Sequence, residues 1–376
     1  MSLAHALKQE NPKCKVIYIG LKGEKLEGLS ERYKVFDQVR HIAAGKFRRY
    51  YGQSNLAALA DVKTQAKNSR DFFKVVKGLH SAEIILRKAK PDVVFSKGGY
   101  VAVPVGLAAR IYRIPIVTHD SDTVPGLANR ILGRWAKVHA TGMPADQYNF
   151  TDGETVFTGI PVDERIKPVT PALQKSYKRD LGLPPDSLVL LAAGGGQGAQ
   201  QINDLMLSAG PSLLSELPKL HILHIAGIKL EGQMGAEAVA EHYRRNLSEQ
   251  DYKKIRVLSF TSDFYKYSGA ADLVVTRAGA TAMSEFALQA KACVVIPNPA
   301  LAGGHQLKNS QFLSSQTLAK VLPADVSSAG FLKDVSDLLK KPAERQKFAK
   351  NLSSTAQPHA AEMLARVILN VAGKKT

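Results

Sequence analysis

Residues 91–120 read PDVVFSKGGYVAVPVGLAARIYRIPIVTHD, and residues 271–299 read ADLVVTRAGATAMSEFALQAKACVVIPNP. Each stretch opens on an Asp followed by a short apolar run, and each has a glycine seven residues after that Asp, Gly99 and Gly279. Each continues into a stretch rich in small residues with helical spacing and closes on a second apolar run. Short β-branched runs that are apolar on both faces are the mark of buried parallel strands. A strand, a glycine turn, a helix and a strand make a βαβ unit. The pattern occurs twice, so the chain reads as two similar α/β halves.

Further apolar runs extend the pattern: VIYI (16–19), LVLLAA (188–193) and HILHIAG (221–227). Between the halves, 159–187 carries five prolines and many charges and reads as a linker with a short helix. The expected organisation is a first Rossmann-like domain over 1–160 and a linker over 161–187. A second Rossmann-like domain follows over 188–355, then a C-terminal helix over 356–376 that packs back on the first domain. The fold class is α/β, with two Rossmann-like domains facing each other across a cleft at the carboxyl ends of their strands.

Composition narrows the partners. The 376 residues are 45% hydrophobic and 22% charged, ordinary for a globular protein, but the net charge is +18. That excess argues for an anionic partner such as nucleic acid, acidic membrane or a phosphorylated substrate. It is densest in GKFRRYY (45–51), where Lys46, Arg48 and Arg49 interleave with Phe47, Tyr50 and Tyr51. Cations beside aromatics suit an anionic membrane interface, an RNA, or simply a solvated loop. Cys14 and Cys293 offer neither metal spacing nor a disulfide framework. No apolar run reaches the ~18–20 residues of a membrane span, and the N-terminus lacks a signal-peptide pattern.

Three strand-to-helix turns carry glycine: SKGGYV (96–101), AGGGQGAQ (193–200) and RAGATAMSE (277–285). Such turns expose backbone N–H groups at a helix N-terminus, where the helix dipole favours an anion. Tight strand–helix packing selects glycine too, but three such turns in two domains point to a phosphate-bearing ligand. GGGQGA is followed by no Lys-Ser/Thr, so it is not a Walker loop, and it is not GxGxxG. Glu285 suits either dipole compensation or the vicinal hydroxyls of a ribose. Gln306 and Asn309 share a helical face and suit either a helix start or sugar hydroxyls. His119, Asp120, Ser121 and Asp122 form a candidate acid–base cluster. HxxD brings no further ligands, so no metal is expected.

The succession GGY, GLAA, the His119-led turn with GLANR, GIPV, GGGQGA, RAGATAMSE and HQLKN resembles the MurG family from about residue 3 to the C-terminus. These are transferases that move N-acetylglucosamine from UDP-N-acetylglucosamine onto a polyprenyl-diphosphate-linked muramyl-pentapeptide, lipid I to lipid II, in peptidoglycan synthesis. The resemblance implies a GT-B glycosyltransferase fold and inverting transfer with no required metal or other cofactor. It also implies a peripheral position on the cytoplasmic face of the membrane, and no nucleic-acid partner.

Residue by residue, it implies donor contacts at Gly194, Gly195, Gly196, Gln197 and Gly198, with Gly196 where the family usually has serine. Thr261 matches the position whose backbone reads uracil. Arg277, Gly279, Ala280, Thr281, Ala282, Met283 and Ser284 lie by the diphosphate, Glu285 at the ribose, and Gln306 and Asn309 at the sugar. Gly98, Gly99 and Tyr100 match an acceptor-diphosphate turn, His119 and Asp120 are base candidates, and Lys46 to Tyr50 fall at the membrane-facing patch.

Three departures accompany the resemblance. The family opens with a strand and a GGTGGH-type turn, whereas this chain opens at the following helix. A first sheet short of one strand is expected, together with UDP-sugar binding and little or no transfer to the lipid acceptor. His-Glu-Gln-Asn is here His119-Asp120-Ser121-Asp122, so Asp122 stands where an amide meets the donor. Asp163 stands where the family has arginine, with Arg165 two residues on. Other readings are a related transferase with another lipid acceptor, a sugar-nucleotide 2-epimerase, and a basic nucleic-acid binder with a steep salt dependence.

Overall fold

The computed structural model describes residues 1–23, 32–45, 62–150, 152–195, 198–228, 234–300 and 304–373. They fall into two compact units. One comprises Met1–Asp163, Ala300–His305 and Gln357–Thr376, and the other Glu164–Pro299 and Gln306–Ala356. Residues 164–187, expected as a linker, therefore belong to the second unit.

The first unit runs α1 (Ser2–Glu10), β1 (Ile17–Leu21), β2 (Gln38–Ile42), α2 (Val62–Ala89), β3 (Val94–Ser96), α3 (Ala102–Ile111), β4 (Ile116–Asp120), α4 (Leu127–Leu132), β5 (Ala136–Thr141) and β6 (Glu154–Phe157). Every pairing is parallel, but there are two sheets, β1-β2 and β3-β4-β5-β6. Among the described residues β1 pairs only with β2, and β3 only with β4.

Alternation along β4 shows why helices cover both faces. Ile116 packs with Ala82 and Leu86 of α2 and with Val105, Ala108 and Ala109 of α3. Val117, one residue on, packs with Ala6 and Leu7 of α1 and with Leu364, Ala365 and Ile368 of the C-terminal helix, Ala360–Gly373. Successive strand side chains point to opposite faces, so a strand buried on both reads as continuously apolar. The C-terminal helix thus completes the first unit's core, and Arg366 ties it to Glu10 of α1 at 2.9 Å.

The second unit runs α5 (Pro171–Asp180), β7 (Leu188–Ala193), α6 (Gln200–Glu216), β8 (Leu220–Ile225), α7 (Ala236–Asn246), β9 (Ile255–Leu258), α8 (Phe264–Ala270), β10 (Leu273–Thr276), α9 (Ala280–Leu288), β11 (Cys293–Val295), α10 (His305–Ser315), β12 (Lys320–Val321), α11 (Ser328–Lys340) and α12 (Pro342–Ser353). Its single parallel sheet has the order β12-β11-β10-β7-β8-β9. In β7, Leu190 and Ala192 pack toward α6 and α11, while Val189, Leu191 and Ala193 pack toward α9 and α10.

A half-buried carboxylate organises the amino ends of these strands. Asp272 accepts from the Val189 N–H at 2.8 Å, from Lys178 Nζ at 2.8 Å and from Gln174 Nε2 at 3.0 Å. Lys178 also donates to the Ser187 carbonyl at 2.7 Å. Thr170 caps the start of α5 by accepting from the Leu173 N–H, and Pro171 occupies a position where no N–H is needed. The segment rich in proline and charge is therefore a helix held by an ion pair whose ammonium is buried. Asp272→Ala leaves the Lys178 ammonium buried without its counter-charge, which costs about 3 kcal/mol or more. Lys178→Met, which removes the buried charge itself, is expected to cost less. Urea unfolding of the two variants checks this order.

Candidate functional site

In the second unit, the turn from β7 into α6 carries the run of glycines. Gly195 and Gly198 have φ of +96° and +80°, and the Gly198 N–H closes the turn on the Gly195 carbonyl at 2.9 Å. A Cβ on Gly194 would meet Ala199 Cβ at 2.3 Å, and one on Gly198 would meet the Ala226 carbonyl oxygen at 2.3 Å. A Cβ on Gly195 would meet nothing within 4 Å. Packing therefore accounts for Gly194 and Gly198, while Gly195 keeps a left-handed backbone beside open space. Gly196 and Gln197 lie outside the described residues.

The turn from β10 into α9 lies next to the start of α6. Arg277 donates to Gln201 Oε1 at 2.8 Å and to the Ile296 carbonyl at 3.1 Å. Its guanidinium thus clamps protein groups of two neighbouring turns. Gly279 begins α9 with no side-chain cap and nothing within 4 Å of where a Cβ would stand. The first N–H groups of that helix open onto a clear face. Ala280 and Met283 turn into the core, Thr281 is exposed, and Ala282, Ser284 and Glu285 are half-buried.

The amides on α10 have protein partners. Asn309 Nδ2 donates to the Ala278 carbonyl at 2.9 Å, and Gln306 Oε1 accepts from the Asn298 N–H at 2.9 Å. Asn309 is buried, so its visible work is to hold α10 against the β10–α9 turn. Thr261 Oγ1 accepts from the Asp263 N–H at 3.1 Å. Arg165 reaches this same loop, donating to the Ser262 carbonyl at 2.9 Å and lying 4.8 Å from the Tyr265 ring centroid. Its ion pair with Asp263 is 3.4 Å long. Arg165 is thus brought together with Thr261 through 262–265. Sequence reasoning missed Gln201, whose amide gave no signal beyond its place after the glycines.

In the first unit, Gly98 and Gly99 follow β3 with φ of +84° and +81°. Ser96 Oγ bridges the Gly98 N–H (3.1 Å) and Asn129 Oδ1 (2.7 Å), while Asn129 Nδ2 donates to the His119 carbonyl at 2.9 Å. Ser96 and Asn129, not singled out in the sequence, thus join SKGGY to the end of β4. Tyr100 is exposed.

His119 is wholly buried, with Nε2 donating to the Gly159 carbonyl at 2.9 Å and no hydrogen-bond partner at Nδ1. Burial, with a smaller contribution from the Lys97 charge, lowers its pKa to about 4. The ring is neutral at pH 7 and secures the loop after β6. Asp120 Oδ1 accepts from the Gly126 N–H at 3.0 Å, its buried Oδ2 has no partner, and burial raises its pKa. Asp122 is half-buried and its carbonyl accepts from Tyr148 Oη at 2.9 Å. Lys46, Phe47, Arg48, Arg49 and Tyr50 lie outside the described residues. Among the described residues no three His, Cys, Asp or Glu side chains are grouped as metal ligands, and no helix is long and apolar enough to cross a membrane.

Two α/β units with parallel sheets, each with glycine turns at the carboxyl ends of its strands, are the architecture of a GT-B glycosyltransferase. Residues 1–141 match the glycosyltransferase family 28 N-terminal domain, and residues 189–364 match the glycosyltransferase family 28 C-terminal domain. The chain belongs to glycosyltransferase family 28. It is 30% identical, over its full 376 residues and 95% of the relative, to a protein of Desulfitobacterium hafniense (strain Y51). That protein is named UDP-N-acetylglucosamine--N-acetylmuramyl-(pentapeptide) pyrophosphoryl-undecaprenol N-acetylglucosamine transferase. Among solved structures, Acinetobacter baumannii MurG superposes with a TM-score of 0.68 at 25% identity, covering 98% of this chain and 95% of that one. S. aureus MnaA, in a co-structure with UDP, shares the fold with a TM-score of 0.63 at 14% identity, covering all of this chain and 94% of that one.

Two outcomes follow from the geometry. Gly198→Ala meets both a forbidden φ and a carbonyl, whereas Gly195→Ala meets the φ alone. Gly195→Ala should cost about 1–2 kcal/mol and Gly198→Ala clearly more, as read by denaturant unfolding. His119 takes up a proton in the unfolded state near pH 6.5 but in the folded state only near pH 4. Its contribution to stability is complete above pH 6.5 and declines as pH falls toward 4. Thermal melts between pH 7 and 5 should show Tm falling, less steeply in His119→Gln.

Proposed function

We propose that this glycosyltransferase moves N-acetylglucosamine from UDP-N-acetylglucosamine to a polyprenyl-diphosphate-linked muramyl-pentapeptide. The observation that carries this reading is the full-length similarity to the transferase of that name, extending over 95% of its chain. The two turns of the second unit support it. In this reading the open backbone at Gly195 and the uncapped N–H groups of α9 receive the diphosphate of the donor. Thr261 reads the uracil, Glu285 accepts from the ribose hydroxyls, and the Gln306 amide meets the sugar. Gly98, Gly99 and Tyr100 receive the diphosphate of the acceptor.

Transfer is inverting. The acceptor hydroxyl oxygen bonds to the anomeric carbon as the bond from that carbon to the UDP oxygen breaks, and UDP departs with the electron pair. The hydroxyl proton passes to a base. Asp120 Oδ2 and His119 Nδ1 are both buried without a partner. Asp120 suits the role better because its pKa is raised by burial, which favours holding a proton, whereas that of His119 is lowered. His119, with Nε2 committed to Gly159, serves to position the end of β4.

We also infer a peripheral place on the cytoplasmic face of an anionic membrane, where the acceptor's polyprenyl chain is anchored. One face of α2 supports this. Phe73, Val76, Lys77, His80, Ile84, Arg87 and Lys88 are exposed or nearly so and recur at helical spacing, apolar groups interleaved with cations.

Calorimetric titration with UDP-N-acetylglucosamine tests the donor half, and transfer to a lipid I analogue tests the whole. Glu285→Ala should weaken UDP-N-acetylglucosamine at least about tenfold, or 1.4 kcal/mol. Absence of heat with every uridine nucleotide overturns the reading.

A further inference from the structure

Three polar side chains run in a line under the β7–α6 turn, and none of them faces solvent. Tyr243 on α7 and His224 on β8 are fully buried, and Asn203 on α6 is 2% exposed. Tyr243 Oη lies 3.3 Å from His224 Nδ1, and His224 Nε2 lies 3.0 Å from Asn203 Oδ1. Asn203 Nδ2 lies 3.1 Å from the Ala226 carbonyl oxygen. Chemistry dictates the direction of every bond. A carbonyl only accepts, so the Asn203 NH2 faces Ala226 and its Oδ1 faces the ring. Oδ1 also only accepts, so Nε2 carries the proton. Burial lowers the His224 pKa to about 4, so the ring is neutral and Nδ1 is an acceptor. Tyr243 therefore donates to Nδ1.

The line ends on a particular oxygen. The Ala226 carbonyl is the atom that a Cβ on Gly198 would strike at 2.3 Å, with Gly227 Cα next at 2.9 Å. It is the wall on which the last glycine of the turn rests. Room for the far end of the line is also built in, since a Cβ on Gly210 of α6 would crowd Tyr243 Cε1 at 3.0 Å. A core at this depth needs no hydroxyl, imidazole and amide for its stability, because apolar side chains of the same shape fill such space as well. What a satisfied polar line adds is a defined orientation for the group at its end.

We propose that Tyr243, His224 and Asn203 are positioning residues for nucleotide-sugar binding: they fix the Ala226 carbonyl and through it the backbone of Gly198, whose N–H holds the Gly195 carbonyl beside the donor diphosphate. The inference rests on the UDP-sugar reading above. It assigns no contact between these three side chains and the donor. Their effect passes through the backbone of Ala226 and Gly198.

Steady-state kinetics and UDP calorimetry on Asn203→Leu, Tyr243→Phe and the double variant test it. Asn203→Leu should raise KM for UDP-N-acetylglucosamine about tenfold and weaken UDP similarly, leaving KM for the lipid acceptor unchanged. Tyr243→Phe, which removes only the far donor, should raise donor KM about two- to threefold. The double variant should be no worse than Asn203→Leu alone, because a line broken at Asn203 no longer transmits the loss at Tyr243. Unchanged UDP affinity in both single variants, with the wild type binding, overturns the positioning role alone. Equal rises in donor and acceptor KM, or additive effects in the double variant, overturn it too. If Asn203→Leu does not fold, Tyr243→Phe decides, and unchanged donor affinity there refutes the proposal. No binding of any uridine nucleotide by the wild type overturns the donor reading, and this proposal with it.

Discussion

Parallel strands buried on both faces leave a domain little freedom about where to act. Their side chains are spent on the two helix layers, as Ile116 and Val117 are in β4 and Leu190 and Leu191 in β7. Their amino ends receive the returning helices, and in the second unit Asp272 binds them together through Val189, Lys178 and Gln174. What remains is the set of turns at the carboxyl ends, where the chain leaves a strand and starts a helix with unpaired N–H groups. Both units obey this constraint, so the turns after β3, β7 and β10 are the places where a ligand can be met by backbone.

The glycines of these turns answer two demands. Gly194 and Gly198 are required by the protein itself, because Ala199 and the Ala226 carbonyl leave no room for a Cβ. Gly195 and Gly279 border open space. The first pair lets the turn fold back tightly, and the second leaves its surface bare for an approaching group. The Ala226 carbonyl joins the two demands, since its position sets how Gly198 and hence the turn lie.

Several side chains with donor-site spacing also have partners within the scaffold. Asn309 holds the Ala278 carbonyl, Arg277 clamps Gln201 and Ile296, and Met283 fills the core. His119 follows the same pattern in the first unit, its Nε2 spent on Gly159. Arg165, two residues from the acidic Asp163, is drawn to the Thr261 loop by Ser262, Asp263 and the Tyr265 ring.

The α/β class, the doubled strand–glycine–helix plan and the three turns were legible in the chain itself, because burial on both faces writes an unbroken apolar run. LVLLAA is β7 to the residue. Strands β2, β5, β6, β9 and β12 were not legible. AKVHAT, now β5, carries a lysine and a histidine; Lys137 is exposed, and the His139 ring nitrogens are taken up within the fold by Thr118 and the Asp152 carbonyl. QVRHI and KV are short and polar, as strands at the margin of a sheet are. The segment 161–187 looked like a linker because its prolines and charges are local features, whereas its bond to Asp272 spans more than ninety residues. By itself, then, the sequence determined the periodicities and the glycine turns, which depend on neighbours along the chain. Only the tertiary structure decided which polar groups face a partner and which face open space, because that depends on atoms brought together from distant parts of it.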